Sequence, residues 1–143
     1  FSPWTNNANS LGTATKRWSN MYSTLGNFSG AVTAASFVYS SDENLKTNIT
    51  PLLNAKDILS LGTYTFDWKD GTAGSETKNA QGDIGIIAQE VEEIYPEFVY
   101  EDENGNKTVD YVKLVVPLLE VTKTQQSEID ELRVMIEELQ INR

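Results

Sequence analysis

The chain has 143 residues with 11 basic and 21 acidic side chains, a formal net charge of −10, and neither cysteine nor histidine. These absences exclude disulfide frameworks, cysteine–histidine zinc sites and the serine–histidine–acid triad. The excess of negative charge argues against nucleic acid or an anionic membrane as a partner, and no apolar run reaches the roughly 18–20 residues that span a bilayer. We expect no cofactor and no metal. Because the chain begins at Phe1 rather than methionine, we expect it to be a piece of a longer protein.

Charge divides the chain near residue 41. Residues 1–41 carry only Lys16 and Arg17, a net charge of +2, whereas residues 42–143 carry 9 basic and 21 acidic groups, a net charge of −12. We therefore predict an upstream segment over residues 1–41, a globular part over residues 42–111 and a C-terminal helix over residues 112–143.

The upstream segment is rich in Ser, Thr, Asn, Gly and Ala, with large apolar residues such as Trp4, Trp18, Tyr22 and Leu25 placed singly. This spacing predicts short strands and turns. So few apolar residues cannot offset the conformational entropy of 41 residues, so we expect the segment to pack against copies of itself or against a parent domain. A disordered linker is the alternative.

Residues 42–111 read as a small α+β domain. Thr50-Pro51 predicts the start of a helix that ends at Gly62, and the alternating residues 63–68 predict a strand with Tyr64, Phe66 and Trp68 on one side. A polar loop over 70–82 leads to a strand over 83–87 and a helix over 88–95 that Pro96 terminates. Asn104-Gly105 predicts a hairpin turn, rather than a calcium loop, between strands 98–101 and 107–111.

The C-terminal helix carries apolar residues at heptad spacing, with Pro117 expected to kink it or to start its main section. The heptad positions are Val115, Leu118, Thr122, Gln125, Ile129, Leu132, Ile136 and Leu139. This narrow stripe favours a bundle between chains over a helix that lies on the core of its own domain. By itself, the combination of Ile at position a and Leu at position d favours a coiled coil of two helices, which is a dimer.

Ser41 and Lys46 lie at the boundary between the two charge regions. Without histidine, lysine is the side chain in this sequence suited to act as an amine base for a serine hydroxyl. Such a lysine must be held away from water so that it can lose its proton near neutral pH. A serine and a lysine five residues apart also arise by chance, and the pair alone carries little weight.

Several further runs of residues accompany this pair. In chain order they are Ser41-Asp42-x-x-Leu45-Lys46-x-Asn48-Ile49, Phe66-x-Trp68, Ile84-Gly85-Ile86-Ile87-Ala88-Gln89-Glu90-Val91 with Pro96, and Val109-Asp110-Tyr111-x-x-Leu114. With these runs, nearly all of residues 41–143 resembles the C-terminal intramolecular chaperone domain of phage tailspikes, tail fibres and neck appendages (endosialidase type, peptidase family S74). The upstream run from Leu11 to Tyr22 is similar to the strand-and-turn element that often precedes this domain.

The resemblance implies a homotrimer that promotes folding of the β-structured fibre end in residues 1–41 and then cuts itself off. Ser41 would be the nucleophile and Lys46 its general base, with Ser40 and Asp42 flanking the scissile bond. The reaction would be a single-turnover self-cleavage with no external substrate. Assembly would take place in the host cytoplasm, with the parent remaining in the virion tail or appendage.

Several alternatives remain open at this level. The Ser41 hydroxyl reaches the Ser40 carbonyl through a five-membered ring, whereas its own carbonyl would need a four-membered ring, yet the resemblance favours the Ser41–Asp42 bond. The implied trimer disagrees with the dimeric coiled coil that the heptad pattern favours. A permanent, uncleaved trimerisation and receptor-binding tip and a fragment of a glycan hydrolase are the competing functions.

Overall fold

A computed structural model of the chain describes residues 10–24, 26, 28, 30–72, 74–75 and 80–141. The predicted anchors Trp4 and Leu25, together with part of the 70–82 loop, lie outside the described residues. The elements in chain order are a 3-10 helix Glu43–Leu45, a 3-10 helix Ala55–Ser60, strand β1 Tyr64–Phe66, strand β2 Asp83–Gly85, helix α1 Ala88–Ile94, a 3-10 helix Pro96–Phe98, strand β3 Val99–Glu101, strand β4 Lys107–Val109 and helix α2 Val115–Ile141. The predicted small α+β domain with short strands and a long C-terminal helix is confirmed.

The strands form two separate antiparallel pairs. In the first, β1 lies beside β2 with Tyr64 opposite Gly85 and Phe66 opposite Asp83. Gly85 lies in close approach to two aromatic side chains, since a Cβ there would lie 2.8 Å from the Tyr111 hydroxyl and 3.2 Å from the Phe66 ring. The same hydroxyl accepts a hydrogen bond from the Ile86 amide at 3.2 Å, which ties the end of β2 to the region before α2.

The second pair, β3 with β4, is the predicted hairpin, with Val99 opposite Val109. Its turn depends on Gly105, whose φ of 79° lies in the left-handed region that glycine adopts without steric cost. One carboxylate oxygen of Asp102 accepts hydrogen bonds from the Asn104 and Asn106 amides, both at 2.8 Å. The local chemistry of the turn therefore sets the register of this pair, as the sequence predicts.

The core is small and lies between α1, the second 3-10 helix and the start of α2. Val91 and Tyr95 of the α1 region have no exposed surface, and the Tyr95 ring stacks on Phe98 with centroids 5.0 Å apart. The Tyr95 hydroxyl donates to the Asn54 and Ala55 carbonyls at 2.9 and 3.2 Å, so its polar end is satisfied inside the core. Tyr95 thereby joins α1 to the second 3-10 helix.

The predicted helix from Thr50 to Gly62 is wrong in type and extent, because a 3-10 helix spans only Ala55–Ser60 and its N-cap is Asn54. In a 3-10 helix, residues three apart lie above one another on one face. The more buried residues repeat at this spacing, which lets a single narrow face pack against α2; they are Leu52, Ala55, Ile58 and Leu61. The sequence of residues 52–61 therefore already contained an apolar residue at every third position of this face.

Helix α2 uses one stripe of its surface for its own domain and leaves the heptad stripe exposed. Leu114, Pro117 and Val121 are buried, and further along the same stripe Glu128 accepts a hydrogen bond from Lys56 at 2.9 Å. Because Pro117 falls in the first turn, where amides have no acceptor within the helix, it fits a helix that starts at Val115. The apolar residues of the predicted heptad are about half or more exposed; they are Val115, Leu118, Ile129, Leu132, Ile136 and Leu139.

The described residues between 10 and 41 contain no strand, which differs from the short strands predicted there. Over these residues the Thr13 amide donates to the Lys16 carbonyl at 2.8 Å, and Gly12 has a φ of 88°. The large side chains of the segment lie in solvent, for example Trp18 and Phe37 with 69% and 61% of their surface exposed. A strand needs a neighbouring strand for its backbone groups, and this segment is given none by the rest of the single chain.

Candidate functional site

The site lies in a short turn immediately after the boundary between the two charge regions. Asp42 is the N-cap of the 3-10 helix Glu43–Leu45, and Lys46 is its C-cap. The Leu45 amide donates to the Asp42 carbonyl at 3.2 Å and the Lys46 amide donates to the Glu43 carbonyl at 3.0 Å. This single turn reverses the chain, so that the Lys46 side chain extends back toward the residue before the helix.

The structure brings Ser41 and Lys46 into direct contact. The Lys46 ammonium donates one hydrogen bond to the Ser41 hydroxyl oxygen at 2.8 Å and a second to the Ser41 carbonyl oxygen at 3.1 Å. One nitrogen therefore touches both the predicted nucleophile and the carbonyl of the Ser41–Asp42 bond. Ser40, predicted to flank the scissile bond, is exposed beside this pair.

The Asp42 side chain stabilises the turn rather than only flanking the predicted cleavage point. Its Oδ1 atom accepts hydrogen bonds from the Asn44 backbone amide at 2.8 Å and from the Asn44 side-chain amide at 2.9 Å. The sequence signal for this was available, since an Asp that directly precedes a short helix is a preferred N-cap. Our sequence reasoning assigned Asp42 to the scissile bond and did not identify the cap.

Asn48 completes the local backbone geometry. It has a φ of 54°, and among the described residues other than glycine it alone has a positive φ. Asparagine tolerates this region better than most residues because its short polar side chain can bond locally. The asparagine in the run Leu45-Lys46-x-Asn48-Ile49 therefore has a backbone role two residues beyond the lysine.

In the single chain this pair is open to water. Every residue from 30 to 51 is exposed. A lysine acts as a base near neutral pH when burial removes water from its ammonium group, and here Lys46 is instead the hydrogen-bond donor to Ser41. The two reacting groups thus lie within the reach that general-base catalysis requires, whereas the shielding from water is absent from the single chain.

The acidic residues of α1 are used in structural contacts. Glu90 accepts hydrogen bonds from the Gly62 amide at 3.1 Å and from the Tyr64 hydroxyl at 2.6 Å, so it joins α1 to the chain entering β1. The hydrogen bond to Glu90 raises the pKa of Tyr64, because the carboxylate favours the protonated phenol. Glu92 forms an ion pair with Lys107 of β4. Helix α1 contains three acidic residues, Glu90, Glu92 and Glu93, and these contacts give the first two a structural role.

Other kinds of site find no support in the part of the chain that the structure describes. Within it, no group of three or more acidic side chains is placed to hold a metal ion. The hairpin turn was compared with a calcium loop, but its Asp102 carboxylate accepts hydrogen bonds from amides of its own turn. These hydrogen bonds lower the pKa of Asp102, and the bond from the Asn106 side chain has the largest effect. Over the same residues, no helix combines the length and the apolar character needed to cross a membrane.

Comparison with known proteins identifies the region around this site. Residues 41–100 match the family profile of peptidase S74, described as chaperone of endosialidase. The long tail fiber protein Gp37 of Salmonella phage S16 is 31% identical over 114 residues. That similarity covers 77% of this chain and 15% of the phage protein, so the chain spans only a small part of the length of this relative. The resemblance drawn from the sequence is therefore confirmed, and residues 41–100 match the chaperone-of-endosialidase family.

Proposed function

We propose that residues 42–143 are an intramolecular chaperone that assembles a phage tail fibre or related appendage and is then released by self-cleavage next to Ser41. Three copies associate, align the upstream segments and promote their folding into β structure. Assembly takes place in the host cytoplasm, and the upstream parent becomes a virion component. The family match and the tail fibre relative support this role.

The need for such a device follows from how intertwined β structure folds. Many contacts between distant residues must form before any of them stabilises the product, so folding is slow and leaves strand edges exposed. A detachable domain that associates first raises the effective concentration of the three upstream segments. The strand-free, exposed state of the described residues between 10 and 41 is what a segment that lacks its partner chains is expected to adopt.

The observation that carries the cleavage proposal is the contact between the Lys46 ammonium nitrogen and the Ser41 hydroxyl oxygen, 2.8 Å apart. In the reaction Lys46, once deprotonated, removes the hydroxyl proton of Ser41, and the oxygen attacks a peptide carbonyl carbon. The carbon–nitrogen bond breaks, the proton passes to the leaving amine, and water then hydrolyses the ester. The overall reaction consumes one water molecule and yields one carboxylate and one amine.

The second contact of Lys46 favours the Ser41–Asp42 bond as the one that is cut. In the chain that is cut, the protonated Lys46 lies 3.1 Å from the Ser41 carbonyl oxygen and stabilises negative charge that develops there, while the deprotonated Lys46 of the neighbouring copy activates the attacking hydroxyl. Since a serine cannot reach its own carbonyl without a four-membered ring, the attacking hydroxyl comes from Ser41 of a neighbouring copy. Attack on the Ser40 carbonyl within one chain is the alternative. Sequencing the amino terminus of the released fragment distinguishes them, because it begins with Asp42 in the first case and Ser41 in the second.

Each chain contains one Ser41–Asp42 bond, so it is cut once. When that bond breaks, Ser41 remains with the upstream product and Lys46 of the same chain leaves with residues 42–143. Association of the copies supplies the shielding from water that the exposed pair lacks, which couples the cut to correct assembly. The fibre then depends on its own unfolding barrier rather than on the chaperone.

The test is to express the chain with its upstream fibre region and follow it on a denaturing gel. We expect the wild type to lose a fragment of about 102 residues, corresponding to residues 42–143, and Ser41→Ala and Lys46→Ala to remain uncut while still forming trimers. Glu43→Gln is the matched control, because it changes a charge in the same turn without touching the pair. A wild type that stays intact supports a permanent tip, and normal processing of either variant removes that residue from the mechanism. Polysaccharide turnover by residues 42–143 alone indicates a glycan hydrolase.

A further inference from the structure

We infer that Asp42 is a positioning residue for the self-cleavage, because its carboxylate holds the turn that places Lys46 against Ser41. This inference rests on the proposed function and extends it to a residue that does not itself react through its side chain. It also separates two roles of one residue, since the Asp42 backbone nitrogen is the leaving group while its carboxylate is the N-cap.

The contact between Ser41 and Lys46 depends on the turn between them. Five residues in extended conformation span roughly 17 Å, which is further than the four-carbon side chain of a lysine can bridge. With the turn formed, the ammonium nitrogen lies 2.8 Å from the hydroxyl oxygen. Formation of the turn is therefore a condition for the reaction and not a detail of the surrounding loop.

The turn has little to hold it other than Asp42. Its helix has three residues, none of them buried, and so lacks both the length and the packing that stabilise helices in proteins. Two backbone hydrogen bonds, from the Leu45 and Lys46 amides, close it at 3.2 and 3.0 Å. Two further bonds come from Asn44 and converge on one oxygen, Oδ1 of Asp42, at 2.8 and 2.9 Å. Apart from the Lys46 contacts with Ser41, which the turn makes possible, one side-chain atom thus receives half of the hydrogen bonds within the turn.

Removing this cap should slow cleavage without preventing assembly. Loss of an N-cap typically costs about 1 kcal/mol, which corresponds to roughly a five- to tenfold smaller ratio of closed to open turn. We therefore expect Asp42→Ala to cut more slowly than wild type, by up to about five- to tenfold. Asp42→Asn and Asp42→Ser keep a side-chain acceptor and should recover most of the rate. Because all three variants leave a neutral residue beside the scissile bond, their ranking reports the cap rather than the charge of the leaving residue.

Two matched variants separate the cap from neighbouring effects. Asn44→Ala removes the side-chain bond at 2.9 Å but keeps the backbone bond at 2.8 Å, so its effect should be smaller than that of Asp42→Ala. Glu43→Gln removes an adjacent charge from the same turn and should cut at the wild-type rate. Each variant is expressed with the upstream fibre region, and the rate is followed on a denaturing gel while the assembled mass is measured by light scattering.

Amide hydrogen exchange provides a readout that does not require cleavage. In the uncut Ser41→Ala background, adding Asp42→Ala should accelerate exchange at the Leu45 and Lys46 amides about five- to tenfold, whereas adding Asp42→Asn should leave it nearly unchanged. If Ser41→Ala and Lys46→Ala block the cut but Asp42→Ala cuts at the wild-type rate with unchanged exchange, the positioning role is wrong and the proposed function stands. If wild type never cuts, the proposed function fails, and the exchange rates still decide whether Asp42 holds the turn.

Discussion

The attachment of α2 to its own domain can be tested by making the same substitution twice on one helix. Val121 lies on the stripe that faces the core and has 4% of its surface exposed, whereas Val134 lies further along the same helix with 54% exposed. Neither residue belongs to the heptad stripe. Val121→Ala and Val134→Ala therefore remove the same atoms from a docked site and from a free site.

The expected difference follows from burial. Truncating valine to alanine removes two methyl-sized groups, worth about 0.8 kcal/mol each in transfer free energy, and a buried site adds a cavity term. We expect Val121→Ala to lower the free energy of unfolding by about 2–3 kcal/mol. At Val134 the change should stay within about 0.5 kcal/mol, helped by the better helix propensity of alanine.

Urea unfolding of both variants at one fixed protein concentration gives the comparison, because the proposed association would make stability depend on concentration. A loss of 2–3 kcal/mol shifts the midpoint by on the order of 1 M urea, with the slope unchanged. Equal losses at the two positions, or a larger loss at Val134, would refute the conclusion that α2 docks through the stripe that contains Leu114, Pro117 and Val121.

Three further predictions concern contacts outside this helix–core interface. Glu90→Gln should lower the pKa of Tyr64 toward its ordinary value of 10.0, measured by spectrophotometric titration, because the carboxylate that stabilises the protonated phenol is replaced by a neutral amide. The pKa of Asp102 is lowered in the folded state, so its contribution to stability is present above its ordinary value of 3.8 and is lost as the pH falls through the folded value. Asp102→Asn should therefore weaken the acid-induced loss of hairpin stability followed by hydrogen exchange; an unchanged profile contradicts this. Leu132→Lys on the exposed heptad stripe should reduce the assembled mass in light scattering, and an unchanged mass contradicts association through this stripe.

The elements that could be predicted from the sequence are those set by local chemistry. The hairpin around Asn104-Gly105 has the expected pairing because a glycine with positive φ and an aspartate that binds nearby amides determine a turn without help from distant residues. Helix α1 ends just before Pro96 for a similar reason, since proline cannot continue the hydrogen-bond pattern. The Ser41–Lys46 pair was also predicted as a candidate, from its position and from the runs of residues around it.

The incorrect predictions concern choices that packing makes. Residues 50–62 contain enough apolar positions for an α-helix, yet the face offered to α2 repeats every three residues and forms a 3-10 helix over Ala55–Ser60. The upstream strands were predicted from composition, but within the described residues they are missing because a strand cannot satisfy its backbone alone. The N-cap role of Asp42 does not depend on packing, since an Asp that directly precedes a short helix accepts hydrogen bonds from the amides that follow it.

The sequence by itself determined the change in charge near residue 41, the turn chemistry, the resemblance of residues 41–143 to the phage chaperone domain and the presence of an amphipathic C-terminal helix. Only the tertiary structure decided which stripe of that helix packs on the domain. The sequence pattern favours the heptad stripe as a contact between chains, and it does not single out the neighbouring stripe as the one that packs on the domain. The stripe with Leu114, Pro117 and Val121 is buried because it meets the face that Ala55 and Ile58 present, and such complementarity between surfaces exists only once both elements have folded.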